Sequence, residues 1–134
     1  MDNKYSRHNR RKYSLKVNIL LVTKYRKQLL GSNIADDVKQ KIFDICKSHN
    51  WEIIAMETDK DHIHFQVSYD TTDKICDIVK TIKQETTHCL WVKYNSFLSK
   101  QYWKKHIFWS DGYFACSIGE VSSSTIQKYI ESQG

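Results

Sequence analysis

Between residues 61 and 69, apolar and polar side chains alternate without interruption: Ile63, Phe65, Val67 and Tyr69 against His62, His64, Gln66 and Ser68. A period of two is the signature of a strand that is buried on one face only. A chain carrying such a strand needs a sheet with one covered face and one accessible face, the usual state of an antiparallel sheet. On that strand His62 and His64 project together, roughly 6.6 Å apart along the backbone. Two imidazoles at that spacing can converge on one divalent metal ion.

The flanking segments repeat the theme. Tyr13, Leu15, Val17, Ile19 and Leu21 alternate as a strand, with Leu20 and Val22 pointing to burial on both faces at its end. Ile34, Val38, Ile42 and Ile45 follow at helical spacing, so the pattern predicts a helix over 34–48, capped from Gly31-Ser32-Asn33. Residues 51–58 read as a strand, and Asp59-Lys60 as the turn into the strand at 61–69. Thr71-Thr72-Asp73 is the expected cap of a second long helix with Ile75, Ile78, Val79, Ile82 and Leu90 as its stripe. Strands are expected at 105–109 and 113–118 around the turn Ser110-Asp111-Gly112. Serines 122–124 offer caps for a last helix carrying Tyr129 and, one turn on, Gln133. The order strand, helix, strand, strand, helix, strand, extra helix predicts an α+β, ferredoxin-like or RRM-like split βαβ sandwich. Its helices would cover one face of an antiparallel sheet and leave the histidine face open.

At 134 residues the chain suffices for one core. Residues 13–134 are expected to form a single domain behind a basic arm at 1–12. No apolar run approaches a membrane span or a secretory leader, so no membrane partner is expected. Cys46, Cys76, Cys89 and Cys116 form no Cys-x-x-Cys pair and read as reduced, partly buried thiols of a cytoplasmic protein.

The net charge of +6 is unevenly placed. Residues 1–31 hold nine Lys and Arg against one acid, whereas 32–61 hold seven acids against four lysines. A second basic stretch, Lys100-Gln101-Tyr102-Trp103-Lys104-Lys105-His106, interleaves cations with aromatics. Cations suit a phosphate backbone and aromatics suit unstacked bases. Arg10, Arg11, Lys12, Lys24, Arg26, Lys104 and Lys105 are the candidate nucleic-acid contacts. A metal beside a tyrosine hydroxyl is the equipment of phosphoryl transfer by a protein nucleophile.

Together these segments resemble the single-tyrosine HUH transposases of the insertion-sequence 200/605 group. His62-Ile63-His64 matches the family's His-hydrophobic-His, and Tyr129-Ile130-Glu131-Ser132-Gln133 its Tyr-Ile-Glu-x-Gln helix. Trp109, Tyr113, Phe114, Ser117, Ile118 and Gly119 match the segment before that helix, and Lys24-Tyr25-Arg26 the Lys-Tyr-Arg after the first strand. The resemblance spans residues 13–134. It implies metal-dependent cleavage and rejoining of single-stranded DNA at insertion-sequence ends, with Tyr129 as nucleophile and a 5′-phosphotyrosine intermediate. It implies Mg²⁺ or Mn²⁺ on His62, His64 and Gln133, and binding of DNA hairpins. It further implies a homodimer that shares its active sites, with Gly119 as the hinge. The protein would be prokaryotic and nucleoid-associated when bound to DNA. Two rival readings are an HUH nickase of the replication-initiator or relaxase type and a non-catalytic RRM-like nucleic-acid-binding module. The latter calls for exposed aromatics on the central strands, where His62, His64, Gln66 and Ser68 stand instead.

Overall fold

The computed structural model describes residues 15–103, 105–117 and 123–133. The elements are β1 (Leu15–Val22), a 3-10 turn (Lys24–Arg26), α1 (Ser32–Ser48), β2 (Glu52–Thr58), β3 (His62–Tyr69), α2 (Ile75–Lys93), α3 (Asn95–Tyr102), β4 (Phe114–Ser117) and α4 (Ser123–Ser132). The strands lie in the order β2-β3-β1-β4, every neighbouring pair antiparallel. Each crossover, through α1 or α2, skips one strand. This is the expected ferredoxin-like α+β arrangement.

Burial follows the two periodicities. Ile63, Phe65 and Val67 of β3 and Val17, Ile19 and Leu21 of β1 pack under α1 and α2. Ile34, Val38, Ile42 and Ile45 are the buried stripe of α1; Ile78, Val79, Ile82 and Leu90 lie within that of α2. Across the helix layer, the Tyr94 hydroxyl donates to Asp37, and Lys93 Nζ reaches the same carboxylate at 2.9 Å. The Tyr94 bond first, and then Lys93, hold the Asp37 carboxyl below the usual range.

Several expectations are corrected. Neither long helix has a side-chain cap: α1 starts after Gly31 and α2 after Lys74. Asp73 instead closes a turn, accepting from the Asp70 amide at 3.2 Å. The short helix α3 has no counterpart in the sequence reading; only Leu98 and Tyr102, four residues apart, are buried on it. Residues 105–109 do not make a strand, and only Trp109 pairs, with Thr23. The backbone groups are used otherwise: the Ile107 carbonyl accepts from Trp91 Nε1 (2.9 Å), and the Phe108 carbonyl accepts from the Lys24 amide (2.8 Å) beside the Trp109 bridge. Cys76 is exposed; Cys46 is buried, and burial pushes its thiol up to about 12.

The largest departure concerns the second face of the sheet. The histidine face is not wholly open. Leu20 and Val22 of β1 are covered by Ile130 of α4, with Phe114 and Tyr129 packed beside them. The cover lies over β1 and β4; beside it on β3, His62, His64 and Gln66 are half-buried and Ser68 is buried. No described helix is long and apolar enough to cross a membrane.

Candidate active site

Residues directly opposite in an antiparallel pair point to the same face. One row across the sheet is therefore Glu57, His64, Leu20 and Phe114, and the next is Gln66, Asn18 and Cys116. His62 pairs with Val22 at the end of β1. The register thus brings both histidines to the face that α4 partly covers.

Each imidazole is oriented by one hydrogen bond. His62 Nδ1–H donates to Asp61 Oδ1 at 2.9 Å, and Asp61 Oδ2 accepts from Arg26 Nε at 3.4 Å. His64 Nε2 lies 3.1 Å from Asn18 Oδ1. Asn18 is 1% exposed, and its own Nδ2 donates to the Ser117 carbonyl at 3.1 Å. That second bond fixes which way the amide faces, so Asn18 Oδ1 accepts and His64 Nε2 carries the proton. The lone pairs are left on His62 Nε2 and His64 Nδ1. Burial holds the His64 pKa below its ordinary value, with Glu57 opposing and His62 adding to the shift. A neutral imidazole is the form that ligates a cation.

Tyr129 sits at the same end of the sheet. Its ring lies 5.6 Å from that of Phe114, and its hydroxyl is buried without a hydrogen-bond partner among the described residues. A Cβ on Gly112 would stand 3.5 Å from that hydroxyl. Burial raises the Tyr129 pKa; the nearby Ser110 hydroxyl opposes the shift without reaching a full hydrogen bond, and it too is buried with no partner among the described residues. The Ser110 amide donates to the carbonyl of Val22, the strand partner of His62. The tyrosine seat and the histidine pair are therefore joined through one strand residue. Lys83 of α2 holds the seat from below, its Nζ donating to the carbonyls of Ser110 (2.7 Å), Asp111 (3.1 Å) and Gly112 (3.2 Å).

Gln133 lies at the C-terminal end of α4, where its Nε2 donates to Ser132 Oγ at 3.0 Å. This leaves Oε1 as the amide's possible ligand atom. Among the described residues, no set of three or more His, Cys, Asp and Glu side chains could hold a metal ion. A cation here would rest on the two imidazoles and on oxygens of other origin.

Of the cations singled out in the sequence, Lys24 pairs with Asp111 of the tyrosine seat at 3.1 Å, and Arg26 with Asp61. Lys105 is exposed. Arg10, Arg11, Lys12, Lys104 and Gly119 lie outside the described residues. Asn18 and Lys83 were not foreseen. Each acts on a partner distant in the chain, and neither stands in a recognisable motif.

The profile of the IS200-like transposases matches residues 11–133. The ISDra2 transposase TnpA of Deinococcus radiodurans is 33% identical over 121 residues, which are 90% of this chain and 85% of that protein. A crystal structure assigned as a transposase of Deinococcus radiodurans R1 superposes with a TM-score of 0.82 at 28% identity, covering 90% of this chain and 92% of that one. The REP-associated tyrosine transposase bound to a REP hairpin shares the fold, with a TM-score of 0.57 at 14% identity over 87% of this chain and 62% of that one.

Proposed function

The chain belongs to the IS200-like transposases, and from that premise we propose that it cleaves and rejoins single-stranded DNA at the ends of an insertion sequence through Tyr129. The observation that supports this most directly is the join between the two halves of the site. The seat of the Tyr129 hydroxyl is bonded to Val22, and Val22 is the strand partner of His62.

In the reaction, Tyr129 Oη forms a bond to the scissile phosphorus as the bond from phosphorus to the 3′ oxygen breaks. The phenol gives up its proton and the 3′ oxygen gains one. The products are a 5′-phosphotyrosine and a 3′-hydroxyl. A 3′-hydroxyl on another strand reverses the step, and the tyrosyl ester retains the energy needed for rejoining. The buried hydroxyl, with its raised pKa, is the resting form. His62, His64 and the Gln133 amide oxygen would hold Mg²⁺ or Mn²⁺, which supplies neutralisation of charge on the phosphate and the leaving oxygen. Asp61 and Asn18 set the ring tautomers so that each imidazole keeps a lone pair for that ion.

The basic arm at 1–12 and the domain at 13–134 would grip DNA hairpins near the element ends. The hairpin-bound relative of the same fold makes hairpins a reasonable ligand class. The working form would be a cytoplasmic homodimer whose subunits exchange their tyrosine helices about Gly119.

The test is incubation with labelled single strands from the element ends, with and without Mg²⁺. A protein–DNA band that survives denaturation and needs the divalent ion is the expected result. Its absence under both conditions would overturn the reading. A second expectation concerns Asn18. Asn18→Ala should weaken Mn²⁺ binding by about 10- to 100-fold, the usual effect of losing a group that orients a ligand. The ¹⁵N shifts of the His64 ring in the metal-free protein should report a mixed tautomer. An unchanged Mn²⁺ titration would show that Asn18 does not orient His64.

A further inference from the structure

Of the five described non-glycine residues at positive φ, three lie beside the site just described, and one of these, Arg26, belongs to it. Tyr25 (φ 61°), Arg26 (φ 53°) and Trp103 (φ 50°) all occupy the left-handed region without being glycine. Such conformations persist only where the surroundings enforce them, and they gather at functional positions. Trp103 is the left-handed cap that ends α3, its amide donating to the Ser99 carbonyl, and for the Tyr25–Arg26 turn the enforcement is visible. Thr23 Oγ1 donates to the Lys27 carbonyl at 2.7 Å, and the Arg26 amide donates to the Thr23 carbonyl at 2.9 Å. Tyr102, buried beneath, donates its hydroxyl to the Lys24 carbonyl at 3.1 Å. The outcome is that two large rings face water: Tyr25 is 54% and Trp103 75% exposed.

Cations surround them. Lys24 Nζ lies 5.5 Å from the Tyr25 ring centre. Lys27 Nζ stands between the other rings, 5.9 Å from Tyr102 and 6.0 Å from Trp103. The Tyr25 ring leans on the buried Tyr102 ring, 6.3 Å between centres, and Trp103 follows Tyr102 directly in the chain, so one buried ring underlies both exposed ones. It also abuts the catalytic end of the sheet, because Lys24 pairs with Asp111 of the tyrosine seat and Arg26 with Asp61 beside His62. Rigidly presented aromatics among cations have the chemistry of a single-strand site, where bases stack and phosphates meet charge.

We propose that Tyr25 and Trp103 are a stacking platform for unpaired bases of the strand entering the active site, with Lys24 and Lys27 contacting the phosphates between them. The inference rests on the single-stranded DNA reading above and assigns that reading a subsite. A duplex keeps its bases stacked on one another and would gain nothing from the rings.

Fluorescence anisotropy with labelled oligothymidine and with a blunt duplex tests it, using the whole chain. Trp103→Ala and Tyr25→Ala should each weaken oligothymidine binding by roughly 5- to 100-fold, the equivalent of about 1–3 kcal/mol of base stacking. Duplex affinity should stay unchanged. Trp103→Phe, which keeps a ring, should retain most of the single-strand affinity and also serves should the alanine variant fold poorly. Equal oligothymidine binding by wild type and both alanine variants would overturn the platform and leave the transposase reading intact. An equal loss on duplex would also overturn it. If the wild-type protein binds neither DNA, platform and reading fall together. A fall in solution mass of Trp103→Ala from dimer to monomer would assign the ring to a subunit interface and overturn the platform as well.

Discussion

Tyr129→Phe should abolish the covalent protein–DNA adduct and leave the protein as stable as before, or slightly more so. Chemistry is lost because the nucleophilic oxygen is gone and no other atom of the ring can bond to phosphorus. Stability should survive because the ring keeps its packing against Phe114. The hydroxyl itself is buried with no full hydrogen bond among the described residues, so removing it relieves a desolvation penalty of about 1–3 kcal/mol. Gel detection of the adduct and a thermal melt measure the two halves. An adduct formed by the phenylalanine variant would place the nucleophile on another tyrosine. The same variant examines helix exchange. Mixed with a His62→Ala/His64→Ala subunit, it should regain cleavage if a homodimer shares its sites, since one composite site would then be complete. No recovery despite demonstrated subunit exchange would mean that Tyr129 serves its own chain.

His62→Ala and His64→Ala should each stop cleavage altogether while lowering stability little. Both side chains face away from the main core, which lies on the other side of β3. Each truncation removes one of two imidazoles in a place where, among the described residues, no third His, Cys, Asp or Glu can compensate. Of the two, His64→Ala should perturb the fold more, since it strands the buried Asn18 carbonyl oxygen; a lost hydrogen bond of this kind costs about 1 kcal/mol. Adduct formation in the presence of Mg²⁺, compared with the melting temperature of each variant, checks the prediction. Full activity in either variant would exclude the histidine pair from the reaction.

The period-two alternation at 61–69 made both β3 and the histidine face readable, because alternation is a local property that one strand carries by itself. Asp61, which orients His62, is its immediate neighbour in the chain and so stands beside it whatever the fold. Its counterpart is not so placed. The bond to His64 comes from Asn18, 46 residues away and brought near only by the register of β1 against β3. The expected strand at 105–109 is reduced to a single bridge at Trp109, with the Phe108 carbonyl still bonded to the Lys24 amide; the Ile107 carbonyl goes instead to the Trp91 side chain, and such a partner leaves no periodic trace. Tyr102 also reads differently once folded. It is an aromatic in a basic stretch, but it is fully buried, with its hydroxyl pKa pushed upward by desolvation, and its neighbour Trp103 takes the exposed place. Lys83 resembled any polar neighbour of an apolar stripe until three carbonyls were found around it.

The helix carrying Tyr129 belongs to a cluster of its own, separate from the main core and containing Leu20, Val22 and Ile130 as its buried members. Full burial of one such aliphatic side chain is worth about 1.5–3 kcal/mol. That is small beside what holds the sheet to α1 and α2, so the framework and the docking of the helix answer to different residues. Substitutions at the Ile130 contact can retune how firmly Tyr129 is held in its seat without touching the scaffold, and the scaffold can drift without altering that hold. A lineage of such proteins could adjust tempo and robustness separately.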